Sequence, residues 1–266
     1  AKAAGARESL DLEVRFPDRG LLHVDGKIDR GISWALQFVS GQSRAATPVV
    51  PAEARPAAAG WHLERGAMRS GPVQATLPAE PGLEIGGTFA SLRFEDWFPG
   101  RGDGGGDAAG GDLIRQIDVE AATFAIVGRL FRDVRIEGRR AAREWLVSVR
   151  GPTASGAIVV PVSPALEAPN LLDMERLWLL ESDPAVGDGR ADPRNLPAIR
   201  ASISDFALNE MRLGKLTADI VQRGDGVVVE PLELASQTFG VTGNVIWVVE
   251  NGDVGRQRSE ARLQLK

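Results

Sequence analysis

Cysteine and tyrosine are absent from the 266 residues, and histidine occurs only as His23 and His62. Without a thiol the chain can build neither a disulfide framework, nor a thiolate zinc site, nor a cysteine nucleophile. The tyrosine corner and the Cys–Trp–Cys signature of immunoglobulin sandwiches are excluded for the same reason. Both histidines stand beside apolar neighbours in alternating sequence, with no HExxH-like spacing, and read as ordinary strand positions. Nor is there a GxSxG elbow, a P-loop or a dinucleotide fingerprint. The acidic pairs Glu95 with Asp96 and Asp183 with Asp188 have nothing converging on them. The single stretch from Asp103 through Gly104, Gly105 and Gly106 to Asp107 lacks the iteration that shared calcium turns need, and Arg101-Gly102-Asp103 is explained by loop composition. The expectation is a protein that is not an enzyme and holds no metal or cofactor.

Long apolar runs are also missing. No stretch reaches the roughly 18 consecutive apolar residues of a membrane-spanning helix, and the opening Ala1-Lys2-Ala3-Ala4-Gly5 is no secretion leader. A start without Met and an end inside the run Arg262 to Lys266 read as a piece of a longer chain whose membrane anchor lies elsewhere. The net charge is −5 and the pI about 5.3, with Arg interspersed among acids and no basic stripe, so nucleic acid is not an expected partner. With 43% apolar and 25% charged residues the composition is globular, and a sizeable core is affordable.

What the chain does have is period two. Leu10, Leu12, Val14 and Phe16 alternate with polar residues, which places one set of side chains on each face of a strand. The same pattern recurs at Leu22-Val24-Gly26-Ile28, Ile32-Trp34-Leu36-Phe38, Ile117-Val119-Ala121, Val134-Ile136 and Trp145-Val147-Val149. It returns at Leu216-Ala218-Ile220, Val227-Val229 and Val241-Gly243-Val245-Trp247. About a dozen strands are expected, separated by turns such as Arg223-Gly224-Asp225-Gly226. Helical signals are short, at 90–97 and within 165–172, and 171–180 suits a helix or a strand. Thr47 to Gly60, Gly100 to Asp112 and Ser182 to Pro197 read as loops. The expected division is a β section over 1–99, a Gly/Asp-rich loop over 100–112, a second section over 113–181, a linker over 182–198 and a third section over 199–266.

An internal repeat joins the last two sections. Ile199, Phe206, Ala207, Leu216, Ala218, Val227 and Val229 each lie 82 residues after Ile117, Phe124, Ala125, Val134, Ile136, Trp145 and Val147, as 199 − 117 illustrates. Alternation alone fits either a closed sandwich with a side-chain-filled interior or an elongated, curved antiparallel sheet whose apolar face lines a groove. A repeat that adds strands along one axis favours the sheet, which at about 4.8 Å per strand would extend roughly 55 Å. The fold class expected is therefore all-β, a taco-like or repeating β-groove with few short helices.

From Trp61 to Trp247 the sequence carries an ordered succession of short phrases: the run from Trp61 to Ala67, that from Leu77 to Gly87, Asp96-Trp97, and the run from Ile117 to Ala121. The succession continues through the run from Phe131 to Ile136, that from Gly156 to Pro161, Arg176 to Leu179, Asp192 to Ile199, Leu213 to Leu216 and Gly226 to Glu230. In this the sequence resembles the YhdP group of AsmA-like envelope proteins. It implies a segment of an inner-membrane-anchored protein, located in the periplasm, that passes phospholipid toward the outer membrane along an apolar β-groove. It carries no catalytic motif. The residues expected to face the lipid are Val119, Ala121, Val134, Ile136, Trp145, Val147, Ile203, Leu216, Ala218, Ile220, Val227, Val229, Val245 and Trp247. Small residues, Ala121, Gly138, Ala218 and Gly243, would leave room for acyl chains. The competing reading is a structural or protein-interaction module of the envelope.

Overall fold

Fifteen stretches of this alternating sequence are strands in the computed structural model, which describes residues 9–28, 31–41, 60–93, 113–126, 129–162, 168–180, 192–253 and 256–266. They are β1 (Leu10–Arg15), β2 (Leu21–Ile28), β3 (Ile32–Ser40), β4 (Trp61–Ser70), β5 (Gly82–Arg93), β6 (Ile114–Ile126), β7 (Arg129–Arg140) and β8 (Glu144–Arg150). There follow β9 (Ala154–Pro161), β10 (Asn170–Leu179), β11 (Ile199–Leu208), β12 (Met211–Arg223), β13 (Gly226–Ala235), β14 (Gly240–Val249) and β15 (Gln257–Leu265). Two short 3-10 turns are η1 (Pro193–Asn195) and η2 (Glu250–Gly252). The protein is all-β, and its strands form one sheet ordered as they occur in the chain.

The short helices expected at 90–97 and 165–172 do not form where the chain is described: 90–93 belong to β5 and 170–172 to β10. Residues 168 and 169 are irregular, and 94–97 and 165–167 lie outside the described residues, as do the loops at 47–59 and 100–112 and the first part, 182–191, of the expected linker. The ambiguous 171–180 is strand because β10 pairs on both sides, with β9 and β11. Pairing on two edges outweighs a local helical period.

Most neighbours are antiparallel, but β4 with β5 and β10 with β11 run parallel. So do β5 and β6, because their partners rise together: Leu83 N–H donates to Leu113 O, and Thr123 Oγ1 to Ala90 O. β6 and β7 are adjacent strands joined by two residues, a link only a hairpin can make. The chain divides into two compact units, Ala1–Thr88 with Ala109–Val119, and Phe89–Ala108 with Glu120–Lys266.

In the first unit the buried side chains of β3 and β4 are small or polar: Ser33, Ala35, Gln37 and Ala67. The connection from β4 to β5 lies over them. Ala75 N–H donates to Ser33 Oγ at 2.8 Å, and Arg65 Nη1 donates to the carbonyls of Pro78 and Ala79, each at 3.1 Å. Gln37, 5% exposed, is the centre of this layer. Its Oε1 accepts from Arg65 Nη2 at 3.0 Å and meets His23 Nε2 at 2.8 Å, while its Nε2 donates to Glu64 Oε2 at 2.5 Å. A buried amide left without such partners would cost about 1–3 kcal/mol, so the network is a condition of burying this face.

The core of the second unit gathers Phe131, Val134, Val149, Ala154, Met174 and Ile203, with Phe124, Leu177, Phe206 and Leu216 packed around them. These residues come from seven consecutive strands, β6 to β12, with Val149 supplied by β8 and Ala154 by β9. The three buried apolar positions of β6 (Val119, Ala121, Ala125) lie 82 residues before those of β11 (Ala201, Ile203, Ala207), as 201 − 119 illustrates.

Candidate functional site

Strand register places the apolar residues of the second unit in continuous cross-strand rows. One row runs Ile136, Val149, Gly156, Met174, Ile203, Leu216, Leu234, Val241, Leu265 from β7 to β15. The next runs Gly138, Val147, Ile158, Leu172, Ala201, Ala218, Leu232, Gly243, Leu263. Between and opposite these, the row Glu137, Ser148, Ala157, Asp173, Ser202, Thr217, Glu233, Thr242, Gln264 is almost wholly polar. One face is therefore apolar across nine strands and the other is wet.

The apolar face is not sealed by a second layer of the described residues. Val147, Ile158, Leu172, Leu216, Leu232, Leu234 and Val241 are only half-buried, and Leu263 and Leu265 are exposed. The first unit has the same character on its own apolar side. There Leu12, Gly26, Trp34, Met68 and Ile85 form one row, and Val14, Val24, Leu36, Gly66 and Leu83 the next. Leu12, Val14 and Met68 are exposed, and Trp34, Leu36 and Ile85 are half-open, while polar Ser33 and Gln37 on the reverse side are buried. A folded chain that covers polar atoms and leaves large apolar ones open presents a surface for something else to cover.

The residues singled out from sequence fall as follows. Ile136, Val147, Ile203, Leu216 and Ala218 are members of the two long rows. Trp145 pairs with Val160 at the next level, Ile220 with Val229, Val229 with Val245, and Val227 with Trp247. Val134 belongs to the buried core of this face. Ala121 points the same way, since its neighbour Glu120 reaches Arg135 on the polar side at 3.3 Å. Val119 has the same parity on β6 but belongs to the first unit, and is buried. Ala121 and Ala218 are themselves buried, and at Gly243 a Cβ would strike the Arg262 carbonyl oxygen, so that glycine answers a close backbone approach rather than leaving room.

Sequence reasoning passed over Leu172, Met174, Leu232, Leu234 and Val241. The signal for two of them was Pro231, since proline within a strand marks a bulge. β13 does bulge between Val229 and Leu232, which shifts the inward set by one residue. On β10 and β11 the inward set skips a residue at the same level, Met174 to Leu177 beside Ile203 to Phe206, so the face stays aligned.

One margin of the face carries a built turn. Asp192 caps η1: its carboxylate accepts from Arg194 N–H and Nε at 3.0 Å each and from Nη2 at 2.7 Å. The Arg194 guanidinium and this amide hold the Asp192 carboxyl below its ordinary range. On the polar side Trp178 stacks under the guanidiniums of Arg176 and Arg212, 5.0 and 4.5 Å from its centroid, and donates to Asp205 at 3.0 Å. No group of three or more His, Cys, Asp or Glu arranged to hold a metal occurs among the described residues, and no helix among them is long and apolar enough to cross a membrane.

A family model described as YhdP protein matches residues 21–266. No curated protein and no solved structure matches the chain.

Proposed function

The chain belongs to the YhdP family, and on that premise we propose that its apolar faces hold lipid acyl chains. The protein is read as a segment of a periplasmic, bridge-like phospholipid carrier between the inner and outer membranes, with no catalytic step. The observation that supports this most is the run of half-open apolar rows across nine strands, backed by a polar reverse face. Each methylene moved from water onto such a row gains about 0.8 kcal/mol, and nearly equal sites along the row give no deep trap. A tail can therefore slide while its headgroup stays wet.

The lining proposed is the half-open part of the set drawn from sequence, without the covered Val227 and the Trp247 that pairs with it, together with Leu172, Leu232, Leu234 and Val241. The strand sets β6–β10 and β11–β15 are read as two copies of one five-strand unit, so that acyl chains meet the same surface twice. Native mass spectrometry and lipid extraction of the chain purified from a lipid-containing bacterial host test the reading. Co-purifying phospholipid is the expected result. Its absence, with the apolar rows occupied by a protein partner instead, would establish the interaction-module reading.

A further inference from the structure

η1 lies on the apolar face of the second unit, away from the strand the chain enters next. It packs on β13 and β14, beyond β12, and the Pro193 side chain is fully buried. Gln222 Nε2 donates to the Arg194 carbonyl at 2.7 Å. Gln222 pairs with Val227 and Val227 with Trp247, so the contact is made from the apolar side. Val227 is 2% exposed, whereas Val229 and Val245, one level further in, are half-open. The turn is also stiff: Pro193 fixes its first φ, and the Asp192 carboxylate grips both main chain and guanidinium of Arg194.

We propose that η1 is an end-stop for acyl chains, closing the apolar face at the Gln222–Val227–Trp247 level and confining tails to the rows of Val229, Leu232 and Leu234. The inference rests on the lipid-carrying reading and adds the position at which a tail must end. A methylene gains nothing over Val227, because that surface is already covered, and displacing η1 would break the Gln222 bond and uncover Pro193. The tail therefore registers against a fixed edge.

The test places a benzophenone amino acid at Leu232 or Trp247 of the full chain, with radiolabelled phosphatidylethanolamine and phosphatidylglycerol vesicles as the probe. Irradiation is expected to give a lipid adduct at Leu232 and only background at Trp247. In a chain carrying Asp192→Ala and Gln222→Ala, or Pro193→Gly, the Trp247 adduct is expected to appear while the Leu232 adduct is unchanged. Equal adducts at both positions in the unmodified chain overturn the end-stop. So does a Trp247 position that stays silent in variants whose Arg194 amide exchanges freely. Silence at Leu232 as well as Trp247 refutes the lipid reading itself and the end-stop with it.

Discussion

The indole of Trp34 on β3 lies across the Cα of Gly26 on β2, so that a Cβ added at Gly26 would fall among the ring atoms. The two residues are cross-strand partners in an apolar row of the first unit. Gly26→Val is expected to push the ring off the sheet and to destabilise the chain by about 1–3 kcal/mol, the range for overpacking. Urea titration followed by tryptophan fluorescence measures it, and the loss should largely vanish when Trp34→Ala is present as well.

Position along the apolar rows separates carriage from folding. Val229 is half-open, so Val229→Asp should leave the far-ultraviolet spectrum unchanged while reducing co-purifying lipid; Thr217→Asp, on the polar face, should leave lipid content alone. Ala218→Arg is a poor probe of occupancy. That position is 5% exposed, and an arginine there would be forced into packed side chains.

Truncations should cost most where the face is closed. Ile203, 2% exposed in the core cluster, is expected to lose about 2–5 kcal/mol on Ile203→Ala. Ile220→Ala, half-open on the next strand, should cost clearly less. Equal shifts in denaturation midpoint would mean that both sites are equally covered in solution.

Arg65→Ala removes the donor that ties Pro78 and Ala79 to the sheet and one partner of Gln37. A loss of about 1–3 kcal/mol is expected for the partners left unsatisfied. Hydrogen exchange should locate it, with the Ala75 amide, bonded to Ser33, exchanging faster than amides of β7 and β8.

The Asp192 carboxyl is held below its ordinary value of 3.8, chiefly by its hydrogen bonds from Arg194. A depressed folded pKa stabilises the turn fully above the unfolded value and loses that contribution as pH falls through the folded one. η1 should therefore stay closed at neutral pH and loosen only below about pH 4, the unfolded carboxylate range. Protection of the Arg194 amide against pH checks this, and Asp192→Asn should abolish the dependence.

Strand positions and the two-sided character of the sheet were legible in the sequence because alternation is a local property. What alternation cannot carry is the order of joins. The parallel pairing of Arg65 with Gly82 and of Asn170 with Ile199 depends on how connections return across the sheet, which no local signal reports. Bulges are the second source of error: counting by twos from Val229 misses Leu232 and Leu234, although Pro231 marks the place. Burial was the third. Ser33 and Gln37 look like solvent-facing positions and are covered, because the connection after β4 supplies the hydrogen bonds that polar residues need in order to be buried.

The parallel joins have a bearing on how such a chain can change over time. Between the join into β6 and the join into β11 lie five strands that alternate in direction, so the first and last run the same way, and the parallel step starts β11 in that same sense. Duplication or deletion of one such set in the gene would preserve the direction of every strand downstream and the side on which its apolar residues emerge. Loss of a single strand would reverse them all. Natural variation in strand number is thus constrained by an odd count closed by a parallel step, and whole sets are the changes a folded sheet can survive.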